Sequence, residues 1–486
     1  MIQHFNRIIV GLGIATMLFA CQEKQEEKAP EAVGPTPSKE QLAWHKMELN
    51  AFIHFTTNTF TGKEWGYGDE SPEIFNPTDI DVDQWMETLQ KAGFKGVILT
   101  AKHHDGFALF PSDYTEHDIA NSSYKDGKGD LVKEVAESAR AHGLKFGIYL
   151  SPWDRNREDY GEKSYVEYYR NQLKEIFTNY GDIFEMWFDG ANGGDGYYGG
   201  ANEERRIDKQ NYYDWPTTLA MVEEIQPSVL FFSDAGPDLR WVGNERGEAG
   251  STNWNIINPD TLYAGKPEIS DLLQTGAKDG TKWIPAEVDV SIRPGWFYHK
   301  EEDSLVKSPQ ELFTTYLQSV GRGSTLLLNV PPDQRGQFDE NDVASLLGMR
   351  KIIDSVFANN LAENAQISAS NYRGESEAYS AENLIDGDSE TYWATDDEVI
   401  QSSVEITFDA AKTVNFVLLQ EYIELGQRVE KFNISAKENG EWKQIAEGTT
   451  IGYKRILKVP SVETTALKIE IEAAKANPIL ANLEIY

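Results

Sequence analysis

Short apolar segments alternate with amphipathic segments along the first two thirds of this chain. The apolar segments are rich in β-branched and aromatic residues, which predicts strands at 49–55, 96–100, 144–150, 183–188, 229–232 and 325–330. Between them lie helical patterns with caps and stops, such as Asp81 and Gly93 around one helix and Asp130 and Gly143 around the next. Such alternation predicts parallel βα units, and therefore an α/β fold with a (β/α)8-like TIM barrel over residues 39–358. A doubly wound open sheet is the alternative, but no glycine-rich phosphate loop follows the first strand.

The pattern changes near residue 360. After it, seven short alternating segments follow with no convincing helix, at 366–370, 403–408, 414–420, 431–437, 442–446, 456–459 and 466–471. This number of short strands is typical of a β-sandwich. We therefore predict a second domain, a β-sandwich of the jelly-roll type, at residues 361–486.

The N-terminus has the pattern of a secreted bacterial lipoprotein. His4 and Arg7 precede an apolar run that ends at Ala20 and is too short to span a bilayer, which predicts a signal peptide at residues 1–20. Cys21 follows directly, and the sequence LFAC (18–21) resembles a lipobox, so Cys21 is the expected lipidation site. Residues 21–38 are predicted to form a tether. The expected location is the bacterial cell envelope, lipid-anchored at the outer membrane or in the periplasm.

Charge and cysteine content exclude several classes of partner. The 486-residue chain carries 45 Lys+Arg against 79 Asp+Glu, a formal net charge of −34. Such a chain would repel nucleic acid and anionic lipid, so we expect membrane contact only through the lipid anchor. One cysteine cannot form an intramolecular disulfide framework or a cysteine-based zinc site.

Polar and aromatic residues stand at the carboxyl ends of the predicted barrel strands, where barrel active sites lie. A packed core would carry Val, Ile or Leu at most of these positions. Carboxylates, imidazoles and indoles around one opening instead predict a sugar site. The strand-end residues are His54, His103, His104, Asp105, Trp187, Asp189 and Asp234, and Glu245 and Glu248 lie in the following long loop.

Several of these residues belong to motifs that together resemble glycoside hydrolase family 29, the retaining α-L-fucosidases. The motifs are FIHF (52–55), EWG (64–66), KHHDGF (102–107) and WFDG (187–190), and the likeness covers residues 40–358. The stretches RWVGNE (240–245) and PAEVDVSIRPGW (285–296) resemble the branch that acts on α-1,3/1,4-linked fucose. The resemblance implies a retaining exo-α-L-fucosidase that acts on fucosylated oligosaccharides or glycoconjugates and needs no cofactor for catalysis.

The resemblance also implies roles for individual residues. Asp189 matches the nucleophile and Glu245 the acid/base, with Glu248 and Glu287 as the other candidates for the second role. Arg293 could equally be a structural ion-pair partner, and Glu287 could hold the neighbouring sugar. The implied substrate-binding residues are His54, Glu64, Trp65, His103, His104, Trp187, Glu287, Arg293 and Trp296.

Two other functions are open at this point. A metal-dependent barrel hydrolase could use His54, His103, His104, Asp105 and Asp189 as ligands. Adjacent histidines on a regular strand point to opposite faces, so His103 and His104 could converge only at an irregular strand end. A non-catalytic glycan-binding protein is the second alternative, although both candidate catalytic carboxylates are present.

The C-terminal domain contains SAENLIDGDSETYWA (380–394), which resembles the discoidin-like F5/8 type C module, a jelly-roll similar to family 32 carbohydrate-binding modules. The resemblance implies a possible structural calcium site with oxygen ligands from Asp386, Asp388, Thr391 and Glu484. The alternative is a turn rich in aspartate, with Trp393 in the core.

Overall fold

Eight parallel strands close into a barrel in the computed structural model, which describes residues 27–486. Each strand pairs with its neighbours in sequence, and the last pairs with the first, which confirms the predicted α/β barrel. The predicted signal peptide and Cys21 lie outside the described residues. The strands are β1 (Leu49–Ile53), β2 (Gly96–Lys102), β3 (Lys145–Leu150), β4 (Glu185–Trp187), β5 (Leu230–Ser233), β6 (Leu239–Trp241), β7 (Ala286–Ser291) and β8 (Thr325–Asn329).

Helices pack around the barrel and bury its outer apolar surface. Two caps agree with the sequence: the Asp81 side chain accepts a hydrogen bond from the backbone of Gln84, and Asp130 accepts one from Lys133. The helices are α1 (Lys39–His45), α2 (Asn58–Thr61), α3 (Val82–Ala92), α4 (Leu131–Ala141), α5 (Lys163–Asn179), α6 (Trp215–Ile225), α7 (Ser270–Thr275), α8 (Pro309–Ser319) and α9 (Glu340–Val356).

A separate apolar cluster fills the inside of the barrel. Seven of the eight strands supply it, with Phe52, Ile98, Tyr149, Trp187, Phe232, Leu239 and Leu327 among its members. Strand β7 differs, because its Val288 and Val290 join the outer core while Glu287 and Asp289 bond indoles of the inner side. The inner cluster is the floor of the cavity described below.

The C-terminal domain is an antiparallel sheet structure with its own apolar core, which confirms the predicted β-sandwich of the jelly-roll type. Its two longest strands pair along most of their length, with breaks in register that divide the ladder. The strands are β9 (Gln366–Ala369), β10 (Trp393–Ala394), β11 (Ser402–Glu421), β12 (Val429–Glu438), β13 (Glu441–Gly448), β14 (Arg455–Ala474) and β15 (Ile479–Ile485).

The long connection between β6 and β7 is bonded to the C-terminal domain. The Gln427 side chain donates to the backbone carbonyl of Asn253 over 2.9 Å and accepts from the backbone N–H of Asn255 over 2.8 Å. Arg455 donates to the carbonyl of Ser251 over 2.8 Å. These bonds are buried or partly buried, so the small domain fixes a loop of the large one.

The described part of the predicted tether has no regular secondary structure and contacts the C-terminal domain. Arg428 donates to the carbonyl of Glu31, and the Val33 N–H donates to the carbonyl of Leu425. From residue 27 onward the segment is thus held against the sheet domain. Within residues 27–486, no helix has the length and apolar character needed to cross a bilayer.

Candidate active site

A cavity of about 460 Å³ opens at the carboxyl ends of the barrel strands. This volume is in the usual range for a small-molecule site. The walls combine aromatic, imidazole and carboxyl side chains. The lining residues are Phe52, His54, Glu64, Trp65, His103, His104, Tyr149, Trp187, Asp189, Gly190, Ala191, Asp234, Trp241, Glu245, Asp289 and Trp296.

Asp189 lies two residues beyond the short strand β4, and its carboxylate is held by two donors. The Tyr149 hydroxyl donates to Oδ2 over 2.9 Å, and the backbone N–H of Ala191 donates to Oδ1 over 2.7 Å. Burial raises the pKa of Asp189, and these two hydrogen bonds oppose the rise. The side chain is still 25% exposed, so a fixed carboxylate faces the cavity, as a nucleophile requires.

Three histidines line the cavity near Asp189. Strand β2 ends at Lys102, so His103 and His104 lie beyond it and both reach the cavity, with ring centroids 4.2 Å apart. His54 Nδ1 lies 2.8 Å from the Asn329 amide oxygen, and His104 Nδ1 lies 2.7 Å from the Ser151 hydroxyl. These partners fix the orientation of two imidazoles.

The three imidazoles are neutral near pH 7. Burial lowers the pKa of His54 and of His104 to about 3, and lowers the pKa of His103 well below its usual value. A neutral imidazole has one N–H donor and one acceptor nitrogen. The three imidazoles can therefore donate hydrogen bonds to sugar hydroxyls or accept hydrogen bonds from them, and they add no charge to the site.

Four tryptophans form the walls and rim. Trp187 stacks on Phe232 with ring centroids 4.2 Å apart, and Trp241 donates its indole N–H to Asp289 over 2.8 Å. Trp296 and Trp65 complete the lining, and Trp65 is 54% exposed at the opening. Indole faces suit the apolar faces of a sugar ring, and an exposed indole at the rim suits a second ring.

Glu64 connects two loops at the opening. Its carboxylate accepts from the backbone N–H of Trp296 over 2.7 Å and lies 2.6 Å from His299 Nε2. The family resemblance implied that Glu64 binds substrate, and the structure adds that Glu64 positions the loop carrying Trp296. It also lines the cavity.

Of the three candidate acid/base residues, Glu245 is the one that lines the cavity. It lies four residues beyond β6, and burial is the largest cause of its raised pKa, with the charge of Asp189 adding to it and Trp296 opposing it. Glu248 instead pairs with Arg246 at 2.9 Å. A carboxyl that keeps its proton toward neutral pH can serve as a general acid.

The metal-site alternative finds no support in this geometry. Asp105 is turned away from the cavity and accepts hydrogen bonds from Thr56, Thr57 and the backbone of Phe107. Across residues 27–486, no group of three or more His, Cys, Asp or Glu side chains is arranged to hold a metal ion.

Comparison with protein families decides the identity of the barrel. A family model described as alpha-L-fucosidase matches residues 29–355. The chain belongs to the α-L-fucosidase family of glycoside hydrolases. A second model, described as the F5/8 type C domain, matches residues 366–485 and agrees with the resemblance seen in the sequence.

Individual relatives of this family resemble the whole chain. Alpha-L-fucosidase 1 of Arabidopsis thaliana is 40% identical over 93% of this chain and 87% of its own length. The crystal structure of a putative alpha-L-fucosidase from Bacteroides thetaiotaomicron aligns with a TM-score of 0.88 at 38% identity, covering 94% of this chain and 99% of that one. A Ruminococcus gnavus GH29 fucosidase in complex with fucose aligns with a TM-score of 0.85 at 32% identity, covering 96% and 97%.

Two residues expected to bind the substrate of this fucosidase do not line the cavity. Glu287 is fully buried beneath it, where it accepts the Trp187 indole N–H over 3.0 Å. Arg293 is also buried and forms ion pairs of 2.9 Å with Asp303 and Asp342. Glu287 supports a wall of the cavity, and Arg293 is the structural ion-pair partner that the sequence left open.

Two lining residues of the fucosidase site, Tyr149 and Asp289, were given no role from the sequence. Tyr149 lies within β3 and Asp289 lies in β7. Asp234 was expected at the site because it ends a predicted strand, and it does line the cavity. Tyr149 looks like an ordinary core aromatic, and strand β7 was not predicted, so neither Tyr149 nor Asp289 could be placed from the sequence.

Two of the expected calcium ligands of the F5/8 type C domain, Asp388 and Glu484, line one pocket, but no metal-holding group of three or more His, Cys, Asp or Glu side chains occurs within residues 27–486. Asp386 accepts the Thr391 hydroxyl over 2.7 Å and the Asp388 backbone N–H over 2.8 Å, which is the turn considered as the alternative. Glu484 accepts hydrogen bonds from Tyr486 and Asn482. Trp393 is fully buried in the core of the domain.

Proposed function

We propose that this protein is a retaining exo-α-L-fucosidase that releases terminal α-1,3/1,4-linked fucose from branched glycans, with Asp189 as nucleophile and Glu245 as acid/base. The observation that carries the proposal is that these two carboxyl groups line one cavity with three neutral imidazoles and four indoles. Such a lining suits an uncharged sugar whose bond is broken by a pair of carboxyl groups.

In the first step, the Asp189 carboxylate attacks the anomeric carbon while Glu245 donates its proton to the departing glycosidic oxygen. A glycosyl ester of Asp189 forms, and the glycan leaves as the alcohol. In the second step, Glu245 accepts a proton from water, and the oxygen of that water attacks the anomeric carbon from the face that the glycan left, opposite Asp189, so that the Asp189 carboxylate is released. Two inversions give overall retention.

The protein environment supports both roles. Burial raises the pKa of Asp189, but the hydrogen bonds from Tyr149 and the Ala191 N–H stabilise its ionised form, which is the form that stabilises positive charge on the sugar. Burial raises the pKa of Glu245, and the negative charge of Asp189 raises it further, which favours the protonated form that the first step needs.

The proposed linkage preference rests on the sequence stretches 240–245 and 285–296 and on the rim of the cavity. Trp65 is largely exposed there, beside Glu64 and Trp296. A second sugar ring that extends from the fucose would meet these side chains. Branched α-1,3/1,4-fucosylated oligosaccharides should therefore be better substrates than simple aryl fucosides, and equal kcat/KM values would refute this preference.

One experiment tests the central proposal. The protein is incubated with an α-1,3/1,4-fucosylated trisaccharide, and the released fucose is followed by proton NMR, where α-fucose should appear before mutarotation. Initial release of β-fucose would refute the retaining mechanism. Asp189→Ala should abolish hydrolysis, and azide should restore the reaction of an aryl fucoside with that variant, giving β-fucosyl azide. Asp234→Asn is a matched control, since azide should not alter its products.

The same experiment separates catalysis from binding. A non-catalytic glycan-binding protein would bind the trisaccharide and release nothing. Binding by both the wild type and Asp189→Ala, with hydrolysis by the wild type alone, supports the enzyme.

We also propose that the enzyme is anchored at the bacterial cell envelope through a lipid on Cys21. The support is the sequence, in which the single cysteine directly follows an apolar leader. In bacterial cells, Cys21→Ser should shift the protein from the membrane fraction to the soluble fraction. Unchanged fractionation would refute the anchor.

A further inference from the structure

Asp234 lines the cavity, yet the double-displacement reaction gives it no step. It directly follows β5, and its Oδ2 accepts the backbone N–H of Gly265 over 2.7 Å. Gly265 belongs to a long connection, 242–285, that also carries Glu245. The hydrogen bond therefore joins the end of β5 to a part of the β6–β7 connection that is distant in sequence from Glu245.

Two glycines enclose the Asp234 carboxyl group. A Cβ on Gly190 would overlap the carboxyl group, which shows that the group packs directly on the backbone between Asp189 and Ala191. A Cβ on Gly265 would lie 2.7 Å from Nδ2 of Asn192 and 3.1 Å from the carbonyl of Gly190, and Gly265 has φ +72°. The turn after Asp189 and the segment at Gly265 are thus packed together with no room for a side chain.

Segment 258–268 also reaches the apolar cluster behind Trp241. Its Leu262 and the cavity-lining Trp241 both pack against the cluster of Ile257, Leu273 and Ile284. On the far side, Lys209 Nζ lies 3.5 Å from the carbonyl of Gly265, at the limit of a hydrogen bond. The Asp234 carboxylate is therefore the close polar contact that ties this segment to the Asp189 turn.

We propose that Asp234 is a positioning residue that holds segment 258–268 against the Asp189 turn and thereby sets the width of the cavity between Asp189 and the Trp241 wall. Because the proposed acid/base Glu245 must meet the glycosidic oxygen, the bond to the second sugar lies on the Trp241 and Glu245 side of this width. Loss of the contact should weaken productive binding of a branched oligosaccharide more than that of a small aryl fucoside. This kinetic consequence rests on the proposed function, whereas the structural consequence does not.

The first arm of the test measures hydrogen–deuterium exchange of the peptide that covers residues 258–268. Asp234→Ala should speed exchange there about tenfold, because the Gly265 N–H loses a carboxylate acceptor. Asp234→Asn keeps an oxygen acceptor of the same shape and should exchange like the wild type. Lys266→Ala is the matched control, since Lys266 bonds the Thr261 carbonyl within the same segment.

Gly265→Ala breaks the same contact from the other side and tests the proposal if Asp234→Ala fails to fold. It should reproduce the faster exchange, because its Cβ meets Asn192. The proposal would be overturned if Asp234→Ala or Gly265→Ala left the exchange rate of this peptide unchanged. It would also be overturned if Lys266→Ala speeded exchange equally, or if Asp234→Asn exchanged as fast as Asp234→Ala.

The second arm measures kinetics with a fucosylated trisaccharide and an aryl fucoside. Asp234→Ala should raise KM about tenfold more for the trisaccharide than for the aryl fucoside, because positioning of the second sugar and not bond cleavage is affected. An equal loss of kcat on both substrates would assign Asp234 to the chemistry and overturn the positioning role. If the wild type cleaves neither substrate, the proposed function fails while the exchange experiment still decides the role of Asp234.

Discussion

The Tyr149 hydroxyl and the Asp189 carboxylate are joined by a 2.9 Å hydrogen bond across the inside of the barrel. Tyr149 lies in β3 and Asp189 lies two residues beyond β4, so the bond links the ends of two neighbouring strands at the cavity. It fixes one oxygen of the proposed nucleophile, and the Ala191 N–H fixes the other. The position of Asp189 is therefore set by the barrel and not by a mobile loop.

Tyr149→Phe should lower kcat/KM about tenfold to a hundredfold, because a hydrogen bond to a charged group is lost. The hydroxyl lowers the pKa of Asp189, so its removal raises that pKa. Asp189 must be ionised to attack, and the acidic limb of the kcat/KM profile should move to higher pH. An unshifted limb in a pH–rate profile would contradict this role.

Glu245→Gln should separate substrates by their leaving groups. The amide cannot donate an acidic proton, so hydrolysis of an oligosaccharide should fall about a hundredfold to ten-thousandfold. Departure of nitrophenolate needs no proton, so the first step with a nitrophenyl fucoside should be little affected, and burst kinetics should show glycosyl-enzyme accumulation. Glu248→Gln is the control, and a larger effect from Glu248 would move the acid/base assignment to it.

The carboxyl groups of Glu185 and Glu287 form a buried pair below Trp187. Burial raises the pKa of Glu185 to about 8 and raises that of Glu287 well above its usual value. Glu185 accepts the indole N–H of Trp44, and Glu287 accepts the indole N–H of Trp187. The folded state therefore holds protons that the unfolded chain releases near pH 4.5.

The sign of this linkage gives a stability prediction. The contribution of the pair is full below about pH 4.5 and is lost as pH rises through about 8. The free energy of unfolding should fall over this window in the wild type and fall less in the double variant Glu185→Gln, Glu287→Gln. Urea unfolding at several pH values measures the free energy of unfolding of both proteins. Parallel pH profiles for the wild type and the double variant would contradict a neutral carboxyl pair in the folded state.

Arg293→Gln should affect stability and leave substrate binding alone. Removing the cation leaves Asp342 buried without its partner, which typically costs about 3–5 kcal/mol. Thermal unfolding should show this loss, while KM for an aryl fucoside stays unchanged. Arg206→Gln removes an exposed cation from the exposed Glu204 and should cost less than about 1 kcal/mol. A rise in KM for Arg293→Gln alone would restore its assignment to substrate.

Treatment with a strong chelator should change neither activity nor Tm. The candidate ligands in the barrel and in the F5/8 type C domain do not form metal-holding groups among residues 27–486. Activity lost on EDTA and regained with a divalent cation would reopen the metal hydrolase, and a Tm lowered by EDTA and restored by Ca²⁺ would reopen the calcium site.

Much of the barrel could be predicted because six of its strands are continuous apolar runs. Strands β6 and β7 could not be predicted from the sequence, and the physical reason differs between the two strands. Strand β6 has only three residues, and its central residue is the charged Arg240. Arg240 is buried and donates hydrogen bonds to the carbonyls of Leu273 and Trp254. Strand β7 carries Glu287 and Asp289 toward the inside, so its pattern resembles that of an exposed segment.

The site itself was predicted where residues stand at strand ends and belong to motifs. His54, His103, His104 and Asp189 all line the cavity as expected. Arg293 and Glu287 do not line the cavity, because tertiary contacts hold them elsewhere. Arg293 pairs with Asp303 and with Asp342 of helix α9. Glu287 accepts the indole N–H of Trp187 inside the barrel. Contacts between residues so distant in sequence leave no local pattern.

The bonds from Gln427 and Arg455 to the β6–β7 connection have a consequence for the cooperativity of the enzyme. That connection carries Glu245, and the small domain holds it at Ser251, Asn253 and Asn255. The two domains therefore share their stability, and local unfolding of the sheet domain would release the segment that carries the proposed acid/base residue. The F5/8 type C domain supplies no residue to the described cavity, yet it cannot be exchanged as an independent module without changing the catalytic domain.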